Sequence, residues 1–202
     1  MWRRLLVLFM VILQLTAFPT VQAMAITYRF AELNWNIPRS EAHRTLTRQG
    51  WRLVKEGGYG DAVYAGTSDG YPARVTLKYD PLGRLVAVDA RVIPPEDRLL
   101  GEYQAIQEAL TQRYGPPVYS QVSFRLPYRE GDGRELEALK RNRALYDTVW
   151  FDQNELNTEA RSGVQLEVVS TPFSQLEIRQ FYLSDDWTAE YQRRAGPSAG
   201  GF

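Results

Sequence analysis

Chemistry in this sequence would have to come from carboxylates, because the other usual groups are scarce. The chain has no cysteine and one histidine, His43. The missing thiols remove disulfides, thiolate metal sites and cysteine nucleophiles together. A nucleophilic triad would then need His43 as its base. His43 stands between Arg39 and Arg44 on a short predicted helix and reads as a surface residue of that helix. Neither a Gly-x-Ser-x-Gly elbow nor a His-Glu-x-x-His pair occurs, and both motifs have fixed spacings. Asp61, Asp69, Asp152 and Glu155 fall near predicted strand ends. Two of them facing each other about 5–10 Å apart across a cleft would suit glycoside hydrolysis; scattered turn acids would not. Asp69-Gly70 and Asp132-Gly133 lack the alternating oxygen ligands of a calcium loop. Glycines 57, 58 and 60 do not follow a strand into a helix, so they form no phosphate cradle. The reading is therefore no catalytic residue, no cofactor and no metal.

Aromatic side chains are the remaining candidates. Trp51, Tyr64 and Trp150 sit at strand positions, and Tyr59 stands between glycines in a loop. Tyr and Trp bury large areas at small entropic cost and so make binding anchors. Tyr59 with Asp61 is expected to form a contact tip, with Trp51, Tyr64 and Trp150 as further binding candidates.

The elements that position these residues follow from periodicity. Between residues 71 and 79 the odd positions are apolar and most even ones polar, the mark of a half-buried strand. Asp80-Pro81-Leu82-Gly83 supplies a Pro corner and a left-handed Gly. A four-residue loop would set Leu77 opposite Val86, Val75 opposite Val88 and Arg74 opposite Asp89. Strands are also expected over 28–35, 51–55, 61–66, 119–126 and 145–152, with a terminal hairpin over 163–170 and 175–183. In that hairpin, pairing Val168 with Ile178 sets Glu167 against Arg179 and avoids Glu167 against Glu177.

Leu99, Tyr103, Ile106, Leu110 and Tyr114 recur at helical spacing, ended by Gly115-Pro116-Pro117. Shorter helices are expected over 40–49, with Ser40 as cap, over 134–143, and over 185–193. Residues 128–142 read as a solvated excursion, or functionally as a contact loop.

Residues 1–23 read as a secretory signal: Arg3 and Arg4, an apolar run, then small residues at Val21 and Ala23. The apolar run is short for a membrane span, so no stable span is expected after cleavage, and the product is periplasmic or secreted. Lys and Arg equal Asp and Glu at 24 each, which argues against nucleic acid as partner.

Helix followed by four strands occurs twice, over about 36–93 and 97–183, and both copies end in a hairpin. Residues 45–50, Thr-Leu-Thr-Arg-Gln-Gly, resemble residues 109–115, Ala-Leu-Thr-Gln-Arg-Tyr-Gly. The expected fold is α+β: two tandem helix-plus-four-strand antiparallel repeats in one two-layer domain over 24–193, helices on one face, with a disordered tail over 194–202. This plan resembles the β-lactamase-inhibitor-protein family and the small envelope domains of the outer-membrane lipoprotein assembly-factor type. The resemblance spans residues 35–183 and is one of architecture. The chain lacks the inhibitors' disulfide cysteines and the lipoproteins' acylated cysteine, so no binding residue is carried over. It implies a binding protein without catalysis, acting on another envelope or secreted protein. The alternative is a glycan-binding or glycan-hydrolysing domain.

Overall fold

The computed structural model describes residues 27–152 and 162–196; the expected signal over 1–23 lies outside them. Eight strands are described: β1 (Arg52–Glu56), β2 (Ala62–Ser68), β3 (Tyr71–Tyr79), β4 (Leu85–Val92), β5 (Tyr119–Phe124), β6 (Ala144–Phe151), β7 (Gly163–Ser170) and β8 (Leu176–Leu183). They form one antiparallel sheet in the order β1-β2-β3-β4-β8-β7-β6-β5. Helices α1 (Arg39–Arg48), α2 (Leu99–Tyr114), α3 (Glu135–Lys140) and α4 (Trp187–Ala195) pack against it. The class is α+β. Among the described residues no helix is long and apolar enough to cross a membrane.

Period 2 gives the sheet two unlike faces. The first face carries Val75, Leu77 and Tyr79 of β3, Val88 and Ala90 of β4, and Leu166 and Ile178 of the terminal hairpin, all buried in one core. Helix α1 lays Ala42 and Leu46 on it, and α2 adds Leu99, Tyr103, Leu110 and Tyr114. Tyr103 Oη lies 2.9 Å from Thr148 Oγ1, so the polar atom that α2 brings into the core is satisfied. Trp150 Nε1 donates to the Gly115 carbonyl at 3.1 Å and ties the end of α2 to β6. Leu136 and Leu139 of α3 join the same core. Tyr128 is buried and donates to Glu137 at 2.9 Å. Residues 128–142 are thus tucked in at both ends and not wholly solvated.

Several expectations need correction. Gly83 takes φ 75° in the turn as expected, but β3 and β4 pair two residues away from the expected register. Leu77 faces Val88, Val75 faces Ala90, and Arg74 faces Arg91. The cause is a bulge next to the turn. Leu85 donates to the Ile37 carbonyl and accepts from Asn36, so it is held by the segment before α1 and pairs with Tyr79. The surplus residue, Val86, turns its carbonyl to the Ser184 amide. Beyond the bulge the shift of two keeps the side chains on their expected faces, but at the bulge Leu85, not Val86, joins the first-face core. The terminal hairpin pairs as expected, Val168 with Ile178 and Glu167 with Arg179.

Residues 28–35 form no strand, although Tyr28 and Leu33 are buried. Pro38, not Ser40, precedes α1, and no side chain caps that end. Helix α4 lies on the second face, against Lys78 and Phe181, so the helices do not all share one face. It also runs through Arg194 and Ala195, inside the span expected as tail.

Gly163 tests the packing. A Cβ there would sit 2.5 Å from the Trp150 carbonyl and 3.0 Å from Phe151 Cβ, whereas one on Gly58 would meet nothing within 4 Å. Gly163→Ala should lower the free energy of unfolding by roughly 1–3 kcal/mol through overpacking. Gly58→Ala should leave it nearly unchanged. Urea denaturation of the two variants makes the comparison.

Candidate binding face

The second face is read most directly along one row of paired residues. From edge to edge it runs Arg52, Ala65, Arg74, Arg91, Arg179, Glu167, Asp147 and Gln121. Three arginines stand side by side at its centre. Like charges directly opposite are unfavourable in a sheet, so the row needs carboxylates beside it. Asp89, on the neighbouring row, accepts from Arg91 at 3.0 and 3.2 Å and from Arg179 at 3.1 Å. Glu177 accepts from Arg91 at 3.2 Å and Glu167 from Arg179 at 2.7 Å. Asp89 and Glu177 are buried. Burial would raise the Asp89 carboxyl, but the Arg91 hydrogen bonds and the Arg179 charge outweigh it and hold Asp89 below the usual carboxylate range.

Toward the β1 edge the balance changes. Arg52, Lys55 and Arg74 are exposed, and none forms an ion pair among the described residues. With Val54, Val63 and Arg91 they line a groove of about 760 Å³. Among the described residues no helix covers this part of the sheet: α1 touches β1 from the first face, where Leu53, Glu56 and His43 surround Tyr64. His43 is exposed there, its Nδ1 3.1 Å from Tyr64 Oη, which agrees with its reading as a helix-surface residue.

Lys78 also borders a second groove, of about 620 Å³, formed where α4 crosses the face. Trp187 meets Phe181 edge to face at 5.5 Å, and Lys78 lies 5.8 Å over the Trp187 ring. Arg194 anchors the helix. Its Nη1 and Nη2 reach the two Asp61 oxygens at 2.8 Å each, Nη2 also donates to the Tyr79 carbonyl at 2.7 Å, and Nε donates to Glu190. Glu190 is buried; burial would raise its carboxyl, but bonds from Arg193 and Arg194 bring it below the usual range. This two-pronged geometry is what guanidinium provides and ammonium does not.

Tyr59 and Asp61 do come together here, in changed roles. Tyr59 takes φ 57° and stays 60% exposed, but its hydroxyl donates to the Arg194 carbonyl at 3.1 Å and the Arg194 guanidinium lies 5.1 Å over its ring. Asp61 is a buried latch for α4 rather than a free contact residue. Trp51, Tyr64 and Trp150 are buried core side chains on the first face and present no surface to a partner. The reading of Tyr64 and Trp150 as exposed anchors fails because their alternation places them under α1 and α2. Trp51 fails for another reason: it precedes β1, and its ring packs against Gly66, where a Cβ would lie 2.7 Å away. Trp187, Phe181 and Lys78 were missed; the spacing of Glu190 to Arg193 and Arg194, with Trp187 and Tyr191, was the available signal of a two-sided helix. Glu155 lies outside the described residues. Asp61, another of the candidate carboxylates, is engaged by Arg194 and Lys78.

Two predictions follow from these ion pairs. Arg194→Ala leaves Asp61 and Glu190 buried without their shared partner, at a cost on the order of 2 kcal/mol or more. Amide exchange in α4 should accelerate while β6 and β7 stay protected, and Trp187 emission should shift to the red. The second concerns pH. The folded pKa of Asp89 lies below its unfolded value, so its stabilisation is complete above about pH 4 and is lost as pH falls through the folded value. Urea stability should hold from pH 7 to about 5 and fall below about 4. Asp89→Asn should be less stable at pH 7 and show a shallower acid decline.

Compared with known protein families, curated proteins and solved structures, the chain matches none.

Proposed function

We propose that this chain is an exported, non-enzymatic binding domain of the bacterial cell envelope, which holds a protein partner of acidic surface on its second sheet face. The observation that carries the reading is the group Arg52, Lys55 and Arg74: exposed, uncovered by any helix and unpaired among the described residues. Asp89, the carboxylate that lines the same groove, is occupied by Arg91 and Arg179. The free charge of this region is therefore positive, and complementary charge gives partner selection and fast encounter. The expected signal over residues 1–23 supports export to the periplasm or beyond. The order α1 then β1 to β4, and α2 then β5 to β8, supports a duplicated helix-plus-four-strand plan of the kind found in the inhibitor and assembly-factor domains it resembles.

A second reading, glycan binding, draws on the aromatic groove at α4. Tyr59, Trp187 and Tyr191 border it, and such rings stack on sugars.

Immobilised protein should retain a protein component from envelope extract and release it between about 0.05 and 0.5 M salt, where the Debye length contracts to a few ångströms. Arg52→Glu with Arg74→Glu should weaken retention roughly tenfold or more without moving the thermal midpoint by more than a degree or two. Retention on peptidoglycan with no protein bound, unaffected by the charge reversal, would favour the glycan reading.

A further inference from the structure

The two edges of the sheet are built differently. Strand β1 is irregular: its register with β2 jumps between Leu53 and Lys55, and it carries Arg52 and Lys55 outward. Bulges and charges are the usual means of keeping an edge from pairing. Strand β5 has neither. Its sequence is Tyr-Ser-Gln-Val-Ser-Phe, uncharged, without Gly or Pro. All six residues pair with β6 in unbroken register. Tyr119 and Val122 are 45% and 41% exposed, and among the described residues β6 is the only element with which β5 makes extensive contact.

The direction of its free backbone groups can be derived. Arg125 donates to the Arg143 carbonyl, in register with the β5–β6 ladder, and Asp152 donates to the Ser162 carbonyl, in register with β6–β7. In an antiparallel ladder, alternate residues point their N–H and C=O to opposite sides. Both bonds therefore agree that the odd residues of β5 and β6 face each other. The N–H and C=O of Ser120, Val122 and Phe124 point to the open edge.

We propose that this edge pairs with its equivalent in a second copy of the chain, antiparallel about a two-fold axis through Val122. The axis stands perpendicular to the sheet, so first face continues into first face, and opposed residues must have like parity. The register centred on Val122 meets that condition and uses the outward-pointing groups: Val122 pairs with Val122 of the other copy, and Ser120 with Phe124. On the second face Gln121 meets Ser123, and Tyr119 meets Arg125, a ring against a guanidinium. No two like charges are opposed anywhere in this register, which is what an isologous contact requires of a strand. The joined sheet would hold the two second faces side by side.

The contact is small for a permanent dimer, so the test is concentration-dependent. Sedimentation equilibrium of the purified protein should give a mass rising from the monomer toward twice that value. Val122→Lys opposes two ammonium groups and should hold the protein monomeric with unchanged circular dichroism. The absence of native cysteine allows a register test. Opposed residues of a hydrogen-bonded pair lie about 5.5 Å apart at Cα, within disulfide reach. Val122→Cys should oxidise readily to a covalent dimer; Ser123→Cys, which opposes Gln121 in this register, should do so far more slowly. A monomer at every concentration would overturn the proposal, as would equal crosslinking of the two variants or β5 protected only by a different protein.

Discussion

The seam between β4 and β8 is where the sheet becomes one body, and there Arg91 and Arg179 are forced to lie directly opposite each other. That juxtaposition follows from the first face. The same register sets Val88 against Tyr182 and Val92 against Ile178 in the core, and a slip of one residue would turn those side chains to solvent. Apolar burial thus chooses the register, and two guanidinium groups are the consequence on the other side. Asp89 bridges both, so it is the residue that makes the choice tolerable. Glu177 and Glu167 take one arginine each. A network of this kind is not a large net source of stability. Desolvating its charges costs about what their attraction returns, but removing Asp89 would leave Arg91 and Arg179 opposed with one carboxylate each.

The second strap works from the chain terminus. Asp61 precedes β2 and Arg194 lies in the last turn of α4, far apart in sequence, yet their bidentate contact fixes the helix across the ends of β3 and β8. Two residues before Asp61, the backbone of Tyr59 is in a left-handed conformation, unusual for a tyrosine. The tip is held by the tyrosine hydroxyl and by the stacked guanidinium groups. The local geometry that looked like a free loop in sequence is therefore shaped by an element more than a hundred residues later.

How far the sequence could be read depended on whether the deciding forces were local. Helix α2 was legible because its stripe and its Gly-Pro-Pro stop act within a few turns, and it ends at Tyr114 as expected. The terminal hairpin was legible because Glu167 against Arg179 is a nearest-neighbour choice. The β3–β4 register was not, because the bulge at Val86 answers to Asn36, Ile37 and Ser184, which no pairing rule on residues 71–92 can anticipate. The candidate site divides in the same way. Tyr59 and Asp61 were found from composition, but their partner Arg194 had been read as tail. The aromatic residues on strands could be placed on a face by alternation, yet which face α1 and α2 would cover is a tertiary fact, and it put Trp51, Tyr64 and Trp150 inside.

The faces also explain why the exposed charge is unevenly distributed. Near the seam, the opposition of Arg91 and Arg179 and the packing of α4 raise the cost of leaving a cation unmatched, and there each of Arg91, Arg179 and Arg194 has carboxylate partners. Away from it, on β1 and the outer part of β3, water solvates the groups freely, so nothing in folding requires Arg52, Lys55 or Arg74 to be paired. Folding therefore fixes the central charges and leaves the outer ones unconstrained. A basic cluster that stability does not demand, on a stretch of sheet that no helix among the described residues covers, is where a function acting through charge could reside without disturbing the core beneath it.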